Sequence, residues 1–204
     1  MIKLPFGVEI NNLIDDLRSF SWEASDILIY YANIIKKLEQ KNEILKNKNN
    51  DDPVTLADLK VNELIINRIN QKYQDTNWEI LSEENFKIES YISNNVDWLW
   101  VLDPLDGTKD FIQGTQNYAM HLALNYKGRP YLGVVLIPEK GELWISYAEK
   151  LWCESRDGSI RKHNLSKTNI LKEMTIVTSK NHRNEKLKNL ICLLYTSDAA
   201  DDET

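Results

Sequence analysis

From Trp98 onward the chain is a succession of short apolar runs separated by brief polar breaks, and this pattern constrains the fold more than any other feature. The runs "WLWVL", "YAMHLALNY", "PYLGVVLIP", "ELWISYA" and "LWCES" are punctuated by turn residues at Lys127-Gly128, Glu139-Lys140-Gly141 and Asp157-Gly158. Closely spaced strands joined by short polar turns favour an antiparallel meander.

The N-terminal part follows a different period. From Ile10 to about Leu38 the apolar positions Ile10, Leu13, Ile14, Leu17, Ala24, Ile27, Leu28, Tyr31 and Ile35 recur every three or four residues. That spacing predicts one long amphipathic helix, or two joined near Ser19 to Ser21. The polar stretch "EQKNEILKNKNNDD" reads as an exposed loop or frayed hairpin. Helical spacing resumes from Thr55 to about Tyr73, with Thr55 as a cap and Asp58 in the first turn. "WEILSEE", residues 78–84, reads as a short strand ending in two glutamates. After Asn164 a new unit is expected, with a strand at "MTIVTS" and a helix beginning near Asn184. The fold class is therefore α+β, with N-terminal helices packed on a mainly antiparallel sheet.

Charge narrows the range of partners. A net charge of −6 argues against general affinity for a nucleic acid polymer or an anionic lipid surface, which is usually met by a basic stripe. No apolar run reaches the length of a transmembrane segment. Two cysteines, Cys153 and Cys192, are too few for a disulfide framework or a four-thiolate zinc site. They read as reduced thiols in a cytoplasmic protein, free or peripheral to the inner membrane.

The acidic residues carry the chemistry. Asp103 and Asp106 follow the apolar run 98–102 directly, and Pro104 keeps Asp103 out of the helical region, so both side chains can converge at a strand end. Gly107 permits a tight turn, and Thr108 begins a helix whose free N–H groups favour an anion. Carboxylates beside an anion site require an intervening cation. Mg²⁺ takes oxygen ligands from a few carboxylates together with substrate phosphate, and Glu83, Glu84 and Asp58 supply two further acidic segments. Two such ions could polarise a phosphoryl group, activate water and stabilise the leaving oxygen. Acidic residues at strand ends and helix starts also serve as plain caps, which is the ordinary reading of Glu84 or Asp110 taken singly.

Other site chemistries fail on spacing. An EF-hand loop begun at Asp103 would place Leu105, Gly107, Thr108 and Gly114 at its third, fifth, sixth and twelfth positions, which is the wrong ligand set. The phosphate-cradling P-loop and the dinucleotide fingerprint are absent. His121, His163 and His182 are not spaced as zinc ligands, and His121 within a strand reads as a packed or hydrogen-bonded residue.

"DPVTLAD" (52–58), "SEE" (82–84) and "DPLDGTKDF" (103–111), in this order, resemble the inositol monophosphatase superfamily of Mg²⁺-dependent phosphatases. "DGTKDF" is most similar to its CysQ-type 3'(2'),5'-bisphosphate nucleotidase branch, and the likeness spans roughly residues 10 to 190. The resemblance implies a layered α/β/α/β/α fold and a ligand set. Glu83 would bind one metal and belong to the catalytic group, Asp103 would bridge, and Asp106 would bind a second metal. The Leu105 carbonyl would complete the set. Asp58 and Thr108 would orient and deprotonate the attacking water, and the Gly107 and Thr108 N–H groups would hold the phosphate. The implied partner is a small phosphate ester, adenosine 3',5'-bisphosphate being favoured, hydrolysed to AMP and phosphate. Alternatives are an inositol or sugar monophosphatase of the same superfamily, or an inactive remnant that only binds metal or a partner. Oligomeric state is open.

Against the family pattern, the expected organisation is a metal-binding domain over 1–170, the start of an incomplete C-terminal α/β domain over 171–192, and a non-native tail over 193–204. The tail "LLYTSDAADD" resembles translated sequencing adapter. Sequencing across the native locus is expected to diverge from this chain near residue 193; an identical reading through Thr204 overturns that expectation.

Overall fold

The computed structural model describes residues 2–37, 45–47, 53–86, 96–164 and 185. The chain divides into two compact units, Met1–Leu165 and Ser166–Thr204, and the account that follows concerns the first. The strand expected at "MTIVTS" lies outside the described residues, and so does the helix expected from Asn184, apart from helical Glu185.

Helix α1, Ile10–Ile35, is a single unbroken element. The possible joint near Ser19 to Ser21 does not form, because Phe20 and Ser21 both fall on the buried stripe that runs from Leu13 through Leu17, Ala24 and Leu28 to Ile35. Two three-residue strands follow, β1 (Leu45–Asn47) and β2 (Pro53–Thr55), paired antiparallel; the polar stretch is a hairpin at these positions. Helix α2, Leu56–Lys72, starts directly after Thr55 and buries Ala57, Asp58, Val61, Asn62, Ile65 and Ile69, the three- and four-residue spacing of one helical face.

Strand β3, Glu79–Ser82, gives way at once to a single helical turn, α3 (Glu83–Phe86). The two glutamates therefore open a helix rather than close a strand. Strand β4 spans Trp98–Asp106, four residues beyond the apolar run, so Asp103 and Asp106 belong to the strand itself. Helix α4 (Thr108–Gln113) leads into β5 (Ala119–Tyr126) and β6 (Arg129–Ile137). A 3₁₀ turn at Pro138–Lys140 precedes β7 (Glu142–Tyr147) and β8 (Lys150–Ser155). A last strand that the sequence reading did not include, β9 (Ile160–His163), is exposed throughout and pairs on the outside of β8.

These strands form one seven-stranded sheet in chain order from β3 to β9. The β3–β4 pair is parallel and every other pair is antiparallel. Alternation assigns each face a role. Trp100, Leu102, Met120, Leu122, Leu124, Val134, Leu136, Leu143 and Ile145 share one buried core with the apolar stripes of α1 and α2. Each such side chain contributes about 1.5–3 kcal/mol on leaving water. Within that core, Trp78 meets Trp100 edge-on at 5.5 Å. The opposite face carries half-buried residues, Asp103 and His121 among them.

One polar contact ties α1 to β8, the strand next to the outer edge of the sheet. The Arg18 guanidinium donates to both carboxylate oxygens of Glu154 on β8, and Trp152 Nε1 donates to Glu154 Oε1 at 2.8 Å. Burial pushes the Glu154 carboxyl up, but hydrogen bonds from Arg18 and Trp152 outweigh it and hold the group below the usual carboxylate range. Removing one member of such a pair strands the other. Arg18→Met keeps the apolar stem but leaves Glu154, 5 % exposed at its side chain, without its cation. A loss of about 2 kcal/mol in urea unfolding is expected, the cost of a buried group left unsatisfied when its partner was itself partly exposed, and an unchanged midpoint would show that the contact contributes nothing.

Candidate metal centre

Because β3 and β4 run parallel with Ser82 opposite Leu102, both strands deliver an acidic residue at the next position, Glu83 and Asp103. A second device brings in Asp106. Asp103 pairs with His121 and Asp106 with Ala119, with a register shift between them: two residues of β4 face one of β5. That count is a β-bulge. Residues three apart on a regular strand point to opposite faces, and the extra residue restores Asp106 to the face that holds Asp103 and His121. Pro104 marks the spot, since a residue without an N–H is tolerated where the ladder is interrupted.

Local bonds fix the bulge. The Leu105 N–H donates to Asp103 Oδ1 at 3.2 Å, and the Thr108 hydroxyl donates to the Leu105 carbonyl at 3.1 Å. A carbonyl oxygen has a second lone pair, so Leu105 keeps an acceptor site. Gly107 follows with φ +86° and caps α4. A Cβ there would lie 2.7 Å from the Asn117 carbonyl oxygen, so only glycine fits. Behind this turn Phe111 stacks edge-on against Tyr118 at 4.7 Å, and Tyr118 donates to Glu139 Oε1 at 2.9 Å. Asp58, 6 % exposed, lies in the first turn of α2, and α4 packs beside β2, the strand that leads into that helix.

Asp103 registers the electrostatics. Burial first, then the Glu83 and Asp106 charges, raise its carboxyl to about 6, against smaller opposing effects of His121 and the Leu105 N–H. Glu83 is exposed, the Asp106 side chain is 60 % exposed, and His121 Nε2 lies 3.9 Å from Asp106 Oδ2. Among the described residues no three acidic, histidine or cysteine side chains already close around one point. The arrangement is instead a half-buried carboxylate beside two exposed ones, a local surplus of negative charge of the kind that hard cations neutralise. Glu83 and Asp106 are the two carboxylates whose charges reach Asp103, and the Leu105 carbonyl lies between Asp103 and Asp106 in the same strand.

The residues singled out in the sequence thus fall into two sets. Glu83, Asp103, Leu105, Asp106, Gly107 and Thr108 are joined by register, hydrogen bonds or mutual charge, whereas Asp58 lies buried in the first turn of α2. His121 belongs to the site face, beyond its expected packing role. The register of β4 with β5 is the signal that would have located it. Cys153 is a buried free thiol, Cys192 lies outside the described residues, and no described helix is long and apolar enough to cross a membrane.

A model of the inositol monophosphatase family matches residues 13–198. The chain is 29% identical over 198 residues to the 3'(2'),5'-bisphosphate nucleotidase CysQ of Buchnera aphidicola, covering 94% of this chain and 69% of that protein. It is 36% identical over 115 residues to the Nus factor SuhB of Pasteurella multocida, covering 55% of this chain and 41% of the relative. Among solved structures, inositol monophosphatase II of Staphylococcus aureus shares the fold with a TM-score of 0.59 at 22% identity, over 91% of this chain and 62% of that one.

Two outcomes follow from the geometry. Without metal, folded Asp103 keeps its proton to about 6 rather than its ordinary 3.8. The native state then binds more protons than the unfolded state between those values, and stability falls as pH rises through them. Asp103→Asn removes that penalty. In EDTA the variant should be more stable than the parent by about 1–2 kcal/mol at pH 7.5, after discounting solvent screening, and equal to it below pH 4. Urea titrations at both pH values check this, and equal stability at pH 7.5 contradicts it. Gly107→Ala should cost about 2 kcal/mol through its left-handed backbone and the clash with Asn117, measured in the same way.

Proposed function

Since the chain belongs to the inositol monophosphatase family, we propose that it is a Mg²⁺-dependent phosphomonoesterase whose substrate is adenosine 3',5'-bisphosphate, hydrolysed to AMP and phosphate. The observation that carries the metal-dependent reading is Asp103, a half-buried carboxylate raised to about 6 by burial and by Glu83 and Asp106. Gly107 and α4 follow its strand directly, and the first N–H groups of a helix have no acceptor within it. Glu83, Asp103, Asp106 and the Leu105 carbonyl would hold Mg²⁺, which when bound supplies the Lewis-acid charge for transfer of a phosphoryl group to water.

The chain's own groups do the rest. The Gly107 and Thr108 N–H groups, at the start of α4, receive the phosphate oxygens. The Thr108 hydroxyl, held by the Leu105 carbonyl, stands beside the reacting group, and it orients the attacking water together with Asp58. Asp58 accepts the water's proton. No covalent intermediate on the protein is required. The small-molecule phosphate ester and a cytoplasmic setting are part of the same proposal.

The nucleotidase reading draws support from the CysQ relative, which aligns with 94% of this chain. The relationship to SuhB and the fold shared with an inositol monophosphatase favour a second reading, an inositol or sugar phosphate as substrate. Phosphate release from adenosine 3',5'-bisphosphate and from inositol 1-phosphate, each with and without Mg²⁺, separates the two. Release from the bisphosphate is expected. Turnover of inositol 1-phosphate alone transfers the assignment to the second reading, and no Mg²⁺-dependent turnover of either leaves a metal- or partner-binding protein. Asp103→Asn should lower Mg²⁺-dependent release about 100-fold or more while raising metal-free stability, a combination that simple misfolding does not produce.

A further inference from the structure

Between the acidic segments lies a buried polar pair. Ser82, fully buried at the end of β3, donates its hydroxyl proton to Asn62 Oδ1 on α2. Asn62 is 7 % exposed. The same Ser82 oxygen accepts the Glu84 N–H at 3.3 Å, at the opening turn of α3. Each partner adjoins a site residue. Asn62 stands one helical turn after Asp58 on the same buried face of α2, and Ser82 immediately precedes Glu83. Ser82 also pairs in register with Leu102, the residue before Asp103.

We infer that the Asn62–Ser82 hydrogen bond is a positioning device for the metal centre: it locks the α2 segment bearing Asp58 to the β3–α3 junction bearing Glu83, level with Asp103. The inference rests on the metal-dependent reading above. Apolar residues of similar volume would fill the same space without having to satisfy two buried polar groups. What the pair adds is a fixed distance and orientation between two backbone segments, one turn after Asp58 on α2 and, at the end of β3, one residue before Glu83. Glu83 is exposed on a four-residue helix and has little packing of its own, so its backbone position depends on the residue that anchors that helix's entry. Groups that orient metal ligands without touching the ion commonly change affinity by 10- to 100-fold when removed.

The test is Mg²⁺ binding to the full 204-residue chain by isothermal titration calorimetry, with melting in EDTA measured in parallel. Ser82→Ala and Asn62→Ala should each weaken Mg²⁺ binding about tenfold, and Ser82→Thr, which keeps the hydroxyl, should stay within about threefold of the parent. Ile65→Val is the control: it thins the core on the same helix, where Ile65 is fully buried, and should lower the melting temperature with parental Mg²⁺ affinity. Ser82→Cys, nearly the same size but a weak donor, carries the measurement if Ser82→Ala does not fold. Parental affinity in both alanine variants, or an equal loss in Ile65→Val, overturns the positioning role while leaving the metal-dependent reading intact. A parent chain that takes up no Mg²⁺ overturns that reading and this inference with it.

Discussion

Parallel pairing of β3 with β4 brings two segments of like charge to the same level, and much else in this unit accommodates that fact. In water Glu83 and Asp103 would separate. Here the backbone ladder between Glu79–Ser82 and Leu99–Leu102 holds their segments together, and the bulge after Asp103 adds a third carboxylate on the same side. Concentrating negative charge at a half-buried spot is unfavourable by itself. The apolar face of the sheet, packed on α1 and α2, is what sustains it. Stability drawn from one face is spent on holding charge at the other.

Most of the frame was legible because its periods are clean. The alternation of Met120, Leu122 and Leu124 and the helical spacing of Leu13, Leu17, Ala24 and Leu28 each indicate one buried face, and the structure buries those residues. The acidic residues drew attention in the sequence because they follow apolar runs or open helical spacing, although Asp103 lies inside β4. What escaped depends on register. Pro104 suggested extended backbone, yet only the count of two residues against one shows that Asp103 and Asp106 share a side. His121 looked like a strand residue among others until its pairing with Asp103 was known. Strand β9 was missed because Ile160–His163 is exposed at every position, so it has no apolar alternation. Arg18 and Glu154 lie too far apart in sequence for any local pattern to join them.

The turn that follows the acids is braced from outside the site. Gly107 and Thr108 are held by α4, whose Phe111 is wedged against Tyr118, and Tyr118 is held in turn by Glu139 after β6. Lys36, just beyond α1, reaches the same Glu139 carboxylate at 3.8 Å. A six-residue helix has little cohesion of its own, so the geometry of its first N–H groups is set by this chain of contacts more than by helical hydrogen bonding.

The Arg18–Glu154 contact also bears on the order in which the unit assembles. The antiparallel strands from β4 to β9 follow one another in sequence, so most of their pairings close short loops, and short closures cost little chain entropy. The Arg18–Glu154 contact closes a separation of 136 residues. Contacts of that span are the slow ones to acquire. The sheet is thus held by pairings local in sequence, and the seat of α1 against β8 is the long-range closure of the unit.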